Sequence, residues 1–426
     1  MERLVIQQLV KWKKKTNRKP LIIQGARQVG KTWIMKEFGN RYFKKQAYIN
    51  FENSNRLQHI FETDFNISRI ISIFEIETGQ RIDKNTLIIL DEIQEAKKGL
   101  TALKYFCENA PNYFIIAAGS FLGVSIQNNH SFPVGKVEFI TLHPLNFEEF
   151  LLNKKEELLL KYLKEKNWKI LAPFHDKLIE LLRTYYFVGG MPEVVQSFLL
   201  HNDFKKVRTI QKNILFGYEN DFAKHATADI VPRIRMVWSS LVAQLSKENK
   251  KFIFGLIKKG ARAKEFENAI AWLEHTGLIY KSSLVSKPGI PLTAYADFNS
   301  FKLYLLDIGL LQAMAEVDEK LLLEKNKILT EYKGSMTEQF VAQELIIKNK
   351  LYYWTKQQAT SEIDFLLQQK NAVIPIEVKA EENLKAKSLK VFVEKFKPSI
   401  ALRTSMNFYR KEDWLSNIPL YAIGFM

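Results

Sequence analysis

The stretch Leu21–Phe38, "LIIQGARQVGKTWIMKEF", decides the fold. The apolar run Leu21 to Ile23 reads as a buried strand. It enters Gly25-Ala26-Arg27-Gln28-Val29-Gly30-Lys31-Thr32, which satisfies the G-x-x-x-x-G-K-[ST] spacing, and Trp33 then leads a helix with Ile34, Met35 and Phe38 on its apolar side. Glycines let backbone N–H groups close around phosphate oxygens, and the helix N-terminus adds the positive end of its dipole. Lys31 is expected to reach the β and γ phosphates and the Thr32 hydroxyl to ligate Mg²⁺. Residues 25–33 are the expected ATP-binding segment.

Outward from this loop, "TLIILDEIQEA" is a second apolar run of the kind central parallel strands show. It ends in Asp91 and Glu92. Asp91 is expected to hold Mg²⁺ through water, and Glu92 to orient or deprotonate the water that attacks the γ-phosphate. A third strand, "YFIIAAGS", closes on Ser120, where a short polar side chain would sense that phosphate. Lys136, before the strand "VEFITL", is either a cation for a neighbouring subunit's nucleotide or a solvated surface lysine.

The chain has 426 residues, more than one core usually organises, and 46% of them are hydrophobic. No apolar run reaches the roughly 20 residues of a bilayer span, and the N-terminal apolar rhythm precedes a basic run, the reverse of a secretory signal. The single Cys107 excludes an intrachain disulfide and a cysteine zinc cluster, which fits the cytoplasm. The net charge of +17 invites a nucleic-acid partner. Residues 331–426 carry 14 basic and 11 acidic side chains and residues 241–330 carry 13 and 10, so the excess is spread and no segment is a basic tail.

In the middle of the chain, "NFEEFLLNKKEELLLKYLKEK" and "LLRTYYFVGGMPEVVQSFLL" read as helices of a lid, broken at Gly189-Gly190 and restarted at Pro192. Arg183, Arg233 and Arg235 are candidates for a lid or trans arginine, each weighed against a plain surface cation. Between residues 236 and 315, amphipathic helices, the last spanning Ala263 to His275, precede the runs "LIYKSSLV" and "PLTAYADF". Helices followed by a strand pair describe a winged helix-turn-helix. The last helix offers Arg262, Lys264, Glu265, Glu267, Asn268 and Glu274, a mixed face with little base-reading chemistry, so a protein-facing or structural role stands beside DNA binding.

The C-terminal segment reads αβββαβ. Its first helix holds Glu338, with Phe340, Val341, Leu345 and Ile346 as the core side. Strand alternation puts Glu377 and Lys379 of "IPIEVKA" on one face, and Asp364 of "SEIDF" lies one hairpin turn earlier. Asp364, Glu377 and Glu338 are candidate ligands for Mg²⁺ or Mn²⁺, and Lys379 would stand beside a scissile phosphate. The alternative is a solvated strand face carrying a Glu/Lys pair.

The segments "GARQVGKT", "LIILDEIQ", "HPLNFEEFL", "GGMPEVV" and "SEIDF"/"IEVKA" together resemble the bacterial and archaeal AAA-like ATPases that carry a C-terminal domain of unknown function with a restriction-endonuclease-like fold. The resemblance spans nearly the whole chain. It implies an α/β architecture: a P-loop NTPase core of the ASCE, AAA-like type (1–150), a helical lid (151–235), a winged helix-turn-helix (236–315) and a PD-(D/E)xK nuclease-like domain (330–426). It also implies nucleotide at Gly25, Gly30, Lys31, Thr32, Asp91 and Glu92. Members commonly show Gly-Arg where this chain has Gly135-Lys136, so the bidentate fork of an arginine finger is missing there. Expected partners are ATP, DNA or RNA, and a second copy of the chain, with no membrane. Two readings result: an ATP hydrolase coupled to nucleic-acid cleavage or remodelling, and a nucleotide-gated switch or scaffold whose nuclease-like module binds without cutting.

Overall fold

The computed structural model describes residues 1–119, 133–247, 250–319, 330–356, 361–380 and 386–426. The chain forms two units, one of residues 2–143 with 275–277, the other of residues 144–274 and 278–426.

In the first unit, strands β1 (Leu21–Gln24), β2 (Lys45–Asn50), β3 (Thr86–Asp91), β4 (Phe114–Ala118) and β5 (Glu138–Thr141) form one parallel sheet in the order β2-β3-β4-β1-β5. All six β3 residues are buried, which is why its middle, residues 87–90, reads as unbroken apolar sequence. Helix Lys31–Tyr42 buries Ile34, Met35 and Phe38, one side of a 3.6-residue repeat. On one face of the sheet Ile22, Ile49, Ile88, Leu90 and Ile115 pack with Phe74, Leu103 and Phe106 from neighbouring helices. The N-terminal helix Val5–Lys13 buries Val5, Ile6, Leu9 and Trp12, so its apolar rhythm serves the core. No helix among the described residues is long and apolar enough to cross a membrane.

The second unit begins with helices, among them Phe147–Asn153, His175–Val188, Pro192–His201, Phe204–His225 and Val231–Leu245. Asn146 and Glu149 form a reciprocal capping box that starts the first of these. The Gly-Gly break has a packing reason. A Cβ on Gly190 would lie 1.9 Å from the Leu145 carbonyl oxygen, and the Gly190 N–H donates to the buried Asp307 carboxylate at 2.6 Å. Burial pushes Asp307 up to about 6, with backbone hydrogen bonds from Gly190, Leu310 and Gly309 opposing the shift.

Helix Ala263–His275 buries Phe266, Ala269, Ile270, Trp272 and Leu273 and exposes Glu265, Glu267 and Glu274. Strand β6 (Ile279–Val285) follows, but its partner is not "PLTAYADF" as a whole. Leu292–Tyr295 is a short 3₁₀ turn, and β7 runs from Ala296 to Leu305 through "SFKLYL". Then come helix Thr330–Ile346, β8 (Leu351–Thr355), β9 (Glu362–Gln369), β10 (Ala372–Val378), helix Lys387–Phe396, β11 (Leu402–Ser405), β12 (Arg410–Lys411) and β13 (Ser416–Pro419). The order β12-β13-β11-β10-β9-β8-β6-β7 makes all of these strands one eight-stranded sheet, joined where β6 pairs parallel to β8.

Helix Thr330–Ile346 departs from its expected amphipathic form. Every residue from Ser335 to Leu345 is buried, whereas Ile346 is only half-buried. Polar side chains on this helix satisfy backbone groups of neighbouring segments. Gln339 accepts from the Leu305 N–H at 2.9 Å and donates to its carbonyl at 2.7 Å, Gln343 accepts from the Ile308 N–H at 2.8 Å, and Glu344 accepts from the Phe147 N–H at 2.8 Å.

Candidate nucleotide site and acidic cluster

At the C-terminal ends of β1 and β3 the sheet delivers the phosphate loop and Asp91 side by side, as open parallel sheets do. Gly25 has φ +148°, and a Cβ there would meet the Leu142 carbonyl oxygen at 2.2 Å, so the loop can leave β1 along this path only with glycine. Lys31 is buried and donates to the carbonyls of Gly25 at 2.9 Å and Ala26 at 2.8 Å. Burial lowers its ammonium to about 8, against the pull of Glu92 and Asp91. Thr32 Oγ1 donates to Asp91 Oδ2 at 2.7 Å, and the Tyr48 hydroxyl donates to the same oxygen at 2.9 Å. Burial raises Asp91 despite these bonds. Glu92 takes a left-handed φ of 50°, and its Oε2 accepts from Gln94 Nε2 at 2.6 Å. Trp33 is 40% exposed at the start of the helix.

Arg3 is a participant that motif reading missed. Its buried guanidinium donates to the carbonyls of Val29 at 3.1 Å and His143 at 2.7 Å, tying the phosphate loop to the end of the β5 segment. A lone arginine two residues from the N-terminus carries no spacing signal. Lys136 is half-buried and ion-paired to Glu108 at 2.9 Å. Arg233 and Arg235 are exposed and Arg183 is half-buried, all three in the second unit. Ser120 lies outside the described residues.

The C-terminal candidates do not gather as one centre. Asp364 Oδ2 accepts from the Val378 N–H at 2.7 Å, so adjacent strands do bring the two motifs together. Glu377, however, is ion-paired to Lys379 at 2.7 Å and accepts from the Leu389 N–H at 3.3 Å. Glu338 has both oxygens engaged: Oε1 by the Lys302 ammonium at 2.9 Å and by the Tyr304 hydroxyl, and Oε2 by Lys250. Lys302 also reaches Glu362 Oε1. Burial alone would raise Glu338, but Lys250 and Lys302 outweigh it and hold the carboxyl below its ordinary range. Burial and the negative charge of Glu338 push Asp364 up. Burial would lower Lys302, yet Glu338, Glu362 and Asp364 drive it well above the usual lysine range.

Among the described residues no three His, Cys, Asp or Glu side chains are disposed to hold one metal ion. Lysines engage Glu338 and Glu377, and Asp364 accepts from a backbone N–H, so among the described residues the expected set does not form one Mg²⁺ or Mn²⁺ shell. Lys302, Tyr304, Glu362 and Lys250 were missed from the sequence. A lysine inside the apolar run "FKLYLL" was the available signal, since alternation puts Lys302 and Tyr304 on one face of β7.

Sequence profiles of three families match the chain: an AAA domain over residues 17–151, a domain of unknown function (DUF8612) over 179–321 and a domain of unknown function (DUF4143) over 333–423. Residues 17–151 form an AAA-type P-loop nucleotide-binding domain. That match agrees with the expected P-loop ATPase core. The other two profiles name no activity.

No curated protein matches. Similar solved structures include a Walker-type ATPase of Pyrococcus abyssi, 16% identical, covering 73% of this chain and 94% of that one with a TM-score of 0.45. The ORC2 protein of Aeropyrum pernix in its ADP form is 13% identical, covering 73% and 91% with a TM-score of 0.32. The ORC1 protein of the same organism in complex with DNA is 11% identical, covering 73% and 90% with a TM-score of 0.28. These superpositions are too loose to transfer any residue's role.

Proposed function

We propose that this chain is an ATP hydrolase used as a nucleotide-dependent switch, whose C-terminal module binds a partner, nucleic acid in the first instance, without cutting it. The observation that carries the ATPase half is the Thr32–Asp91 hydrogen bond beside Lys31 at the end of the parallel sheet. A hydroxyl and a carboxylate are hard oxygen donors of the kind Mg²⁺ takes when phosphates and water complete its shell, so Thr32 and Asp91 would hold it and it would offset phosphate charge. Backbone N–H groups of residues 25–32 wrap the phosphates, and Lys31 exchanges its loop carbonyls for phosphate oxygens. Glu92, held by Gln94, orients the attacking water and accepts its proton.

Equilibrium binding of a fluorescent ATP analogue and phosphate release test this half. Lys31→Ala is expected to lose nucleotide binding, whereas Glu92→Gln keeps binding and loses 100-fold or more of turnover, about 3 kcal/mol in barrier. Equal loss of binding in both variants would sink the assignment of Glu92. The engagement of Glu338 by Lys302 and Lys250 favours a binding module over a nuclease. Wild-type protein given Mg²⁺ or Mn²⁺, with and without ATP, is expected to leave single- and double-stranded DNA and RNA intact. Cutting that Asp364→Asn abolishes would restore the nuclease reading.

A further inference from the structure

Arg3 stands two residues before helix Val5–Lys13, whose buried Val5, Ile6, Leu9 and Trp12 fix it in the core of the first unit. The Ile6 N–H donates to the Arg3 carbonyl at 3.3 Å and the Trp12 indole to the Lys19 carbonyl at 2.8 Å, so the arginine hangs from an anchored element. Arg3 itself is 6% exposed. Its Nη1 donates to the Val29 carbonyl at 3.1 Å and its Nη2 to the His143 carbonyl at 2.7 Å.

These two carbonyls back opposite ends of the phosphate loop. Val29 precedes Gly30-Lys31-Thr32, and His143 follows Leu142, whose carbonyl oxygen a Cβ on Gly25 would strike. A guanidinium presents its N–H groups in a fixed planar fork and can hold acceptors from two segments at once, where an ammonium is a point donor on a flexible stem.

The bond to Val29 sets the aim of the next N–H. The Val29–Gly30 peptide is trans, so its C=O and N–H point in opposite directions, and a carbonyl turned to Arg3 turns the Gly30 N–H away from it. Gln28 at φ 65° and Gly30 at φ 93° are left-handed while Val29 between them is not, the alternation that turns successive N–H groups into an anion-binding concavity. Gln28 carries a Cβ, so its left-handed backbone persists only where neighbouring groups hold it. Arg3 holds the adjoining residue.

We infer that Arg3 is a positioning residue of the nucleotide site: by fixing the Val29 peptide and the segment behind Gly25 it keeps the phosphate loop in its anion-binding form. The inference rests on the ATP-binding reading and deepens it. The guanidinium acts through the loop backbone, so its removal should be read in affinity for the phosphates.

The test is equilibrium binding of a fluorescent ATP analogue to the full-length protein, with both Kd and the number of sites per chain determined. Arg3→Met, which keeps an apolar stem and no donor, is expected to raise Kd about tenfold or more at one site per chain. Arg3→Lys, which keeps the charge without the fork, is expected to fall between, at least about threefold weaker than wild type. It decides the matter if Arg3→Met does not fold. Hydrogen exchange of the nucleotide-free Arg3→Lys protein is expected to quicken in peptides covering residues 25–32 and to stay at the wild-type rate in β3. A role in folding alone would instead lower the number of sites and leave the Kd of the remaining ones unchanged, and that result overturns the inference. Wild type that binds ATP while folded Arg3→Met or Arg3→Lys binds it as tightly sinks the inference alone. Wild type that binds no ATP, or Lys31→Ala that binds it as well as wild type, sinks the nucleotide reading itself.

Discussion

Glu344 illustrates what burial does to a single carboxyl. It is enclosed, accepts from the Phe147 N–H, and has Glu148 and Glu149 nearby, and burial pushes it from 4.5 up to about 8. Folding therefore favours its protonated form. The stability this group contributes is complete below pH 4.5, the unfolded value, and is lost as pH rises through about 8. Against Glu344→Gln, which keeps an acceptor for Phe147, wild type should lose about 1.4 kcal/mol per pH unit across that window and run parallel above it. Chemical denaturation of both proteins from pH 5 to 9 measures the difference, and parallel curves throughout would show that Glu344 is not neutral in the fold. Lys31 is the opposite case, since burial lowers a lysine that the phosphate loop holds on its own carbonyls. The motif reveals its presence, but not that it is desolvated.

At the level of elements, the Gly189–Gly190 turn shows a sequence break whose cause is a distant segment. A Cβ at residue 190 would collide with the Leu145 backbone, which cannot rotate away as a side chain would. Gly190→Ala should cost about 1–3 kcal/mol, read as a lowered denaturation midpoint with unchanged steepness. A substitution without effect would mean that the Leu145 carbonyl moves freely. Helix Thr330–Ile346 makes the complementary point. Its Gln339, Gln343 and Glu344 look like a wet face in the sequence, yet each is buried and bonds a backbone N–H of another element. Polarity predicts exposure only while no neighbour offers a partner.

For the whole molecule, the second unit's sheet crosses the boundary between the expected winged-helix and nuclease-like segments. β8 pairs with β6 through Ser282–Leu351, Ser283–Tyr352 and Leu284–Tyr353, and Lys302 of β7 neutralises Glu338. A fragment of residues 330–426 would bare the β8 edge and leave Glu338 buried without its lysines. It is expected to aggregate, while a fragment of residues 144–426 stays monodisperse and helical by size exclusion and circular dichroism. A monomeric, folded 330–426 fragment would show that the hairpin adds nothing to the module.

Local chemistry wrote the proposed nucleotide site into the sequence. Glycine spacing, one lysine, one threonine and an apolar strand ending in Asp91-Glu92 are short-range patterns, because the loop and its helix are contiguous and a parallel central strand must be apolar throughout. The order of helices and strands in the C-terminal segment was legible for the same reason. Which charges meet there was not. Glu338, Lys250, Lys302 and Glu362 come from four separate segments, and only the packing of a buried helix against an eight-stranded sheet brings them together. Alternation put Asp364, Glu377 and Lys379 on named strand faces. Tertiary structure then decided that Glu377 pairs with Lys379 while Lys302 fills the space beside Glu338, because a buried carboxylate takes whichever cation the fold delivers.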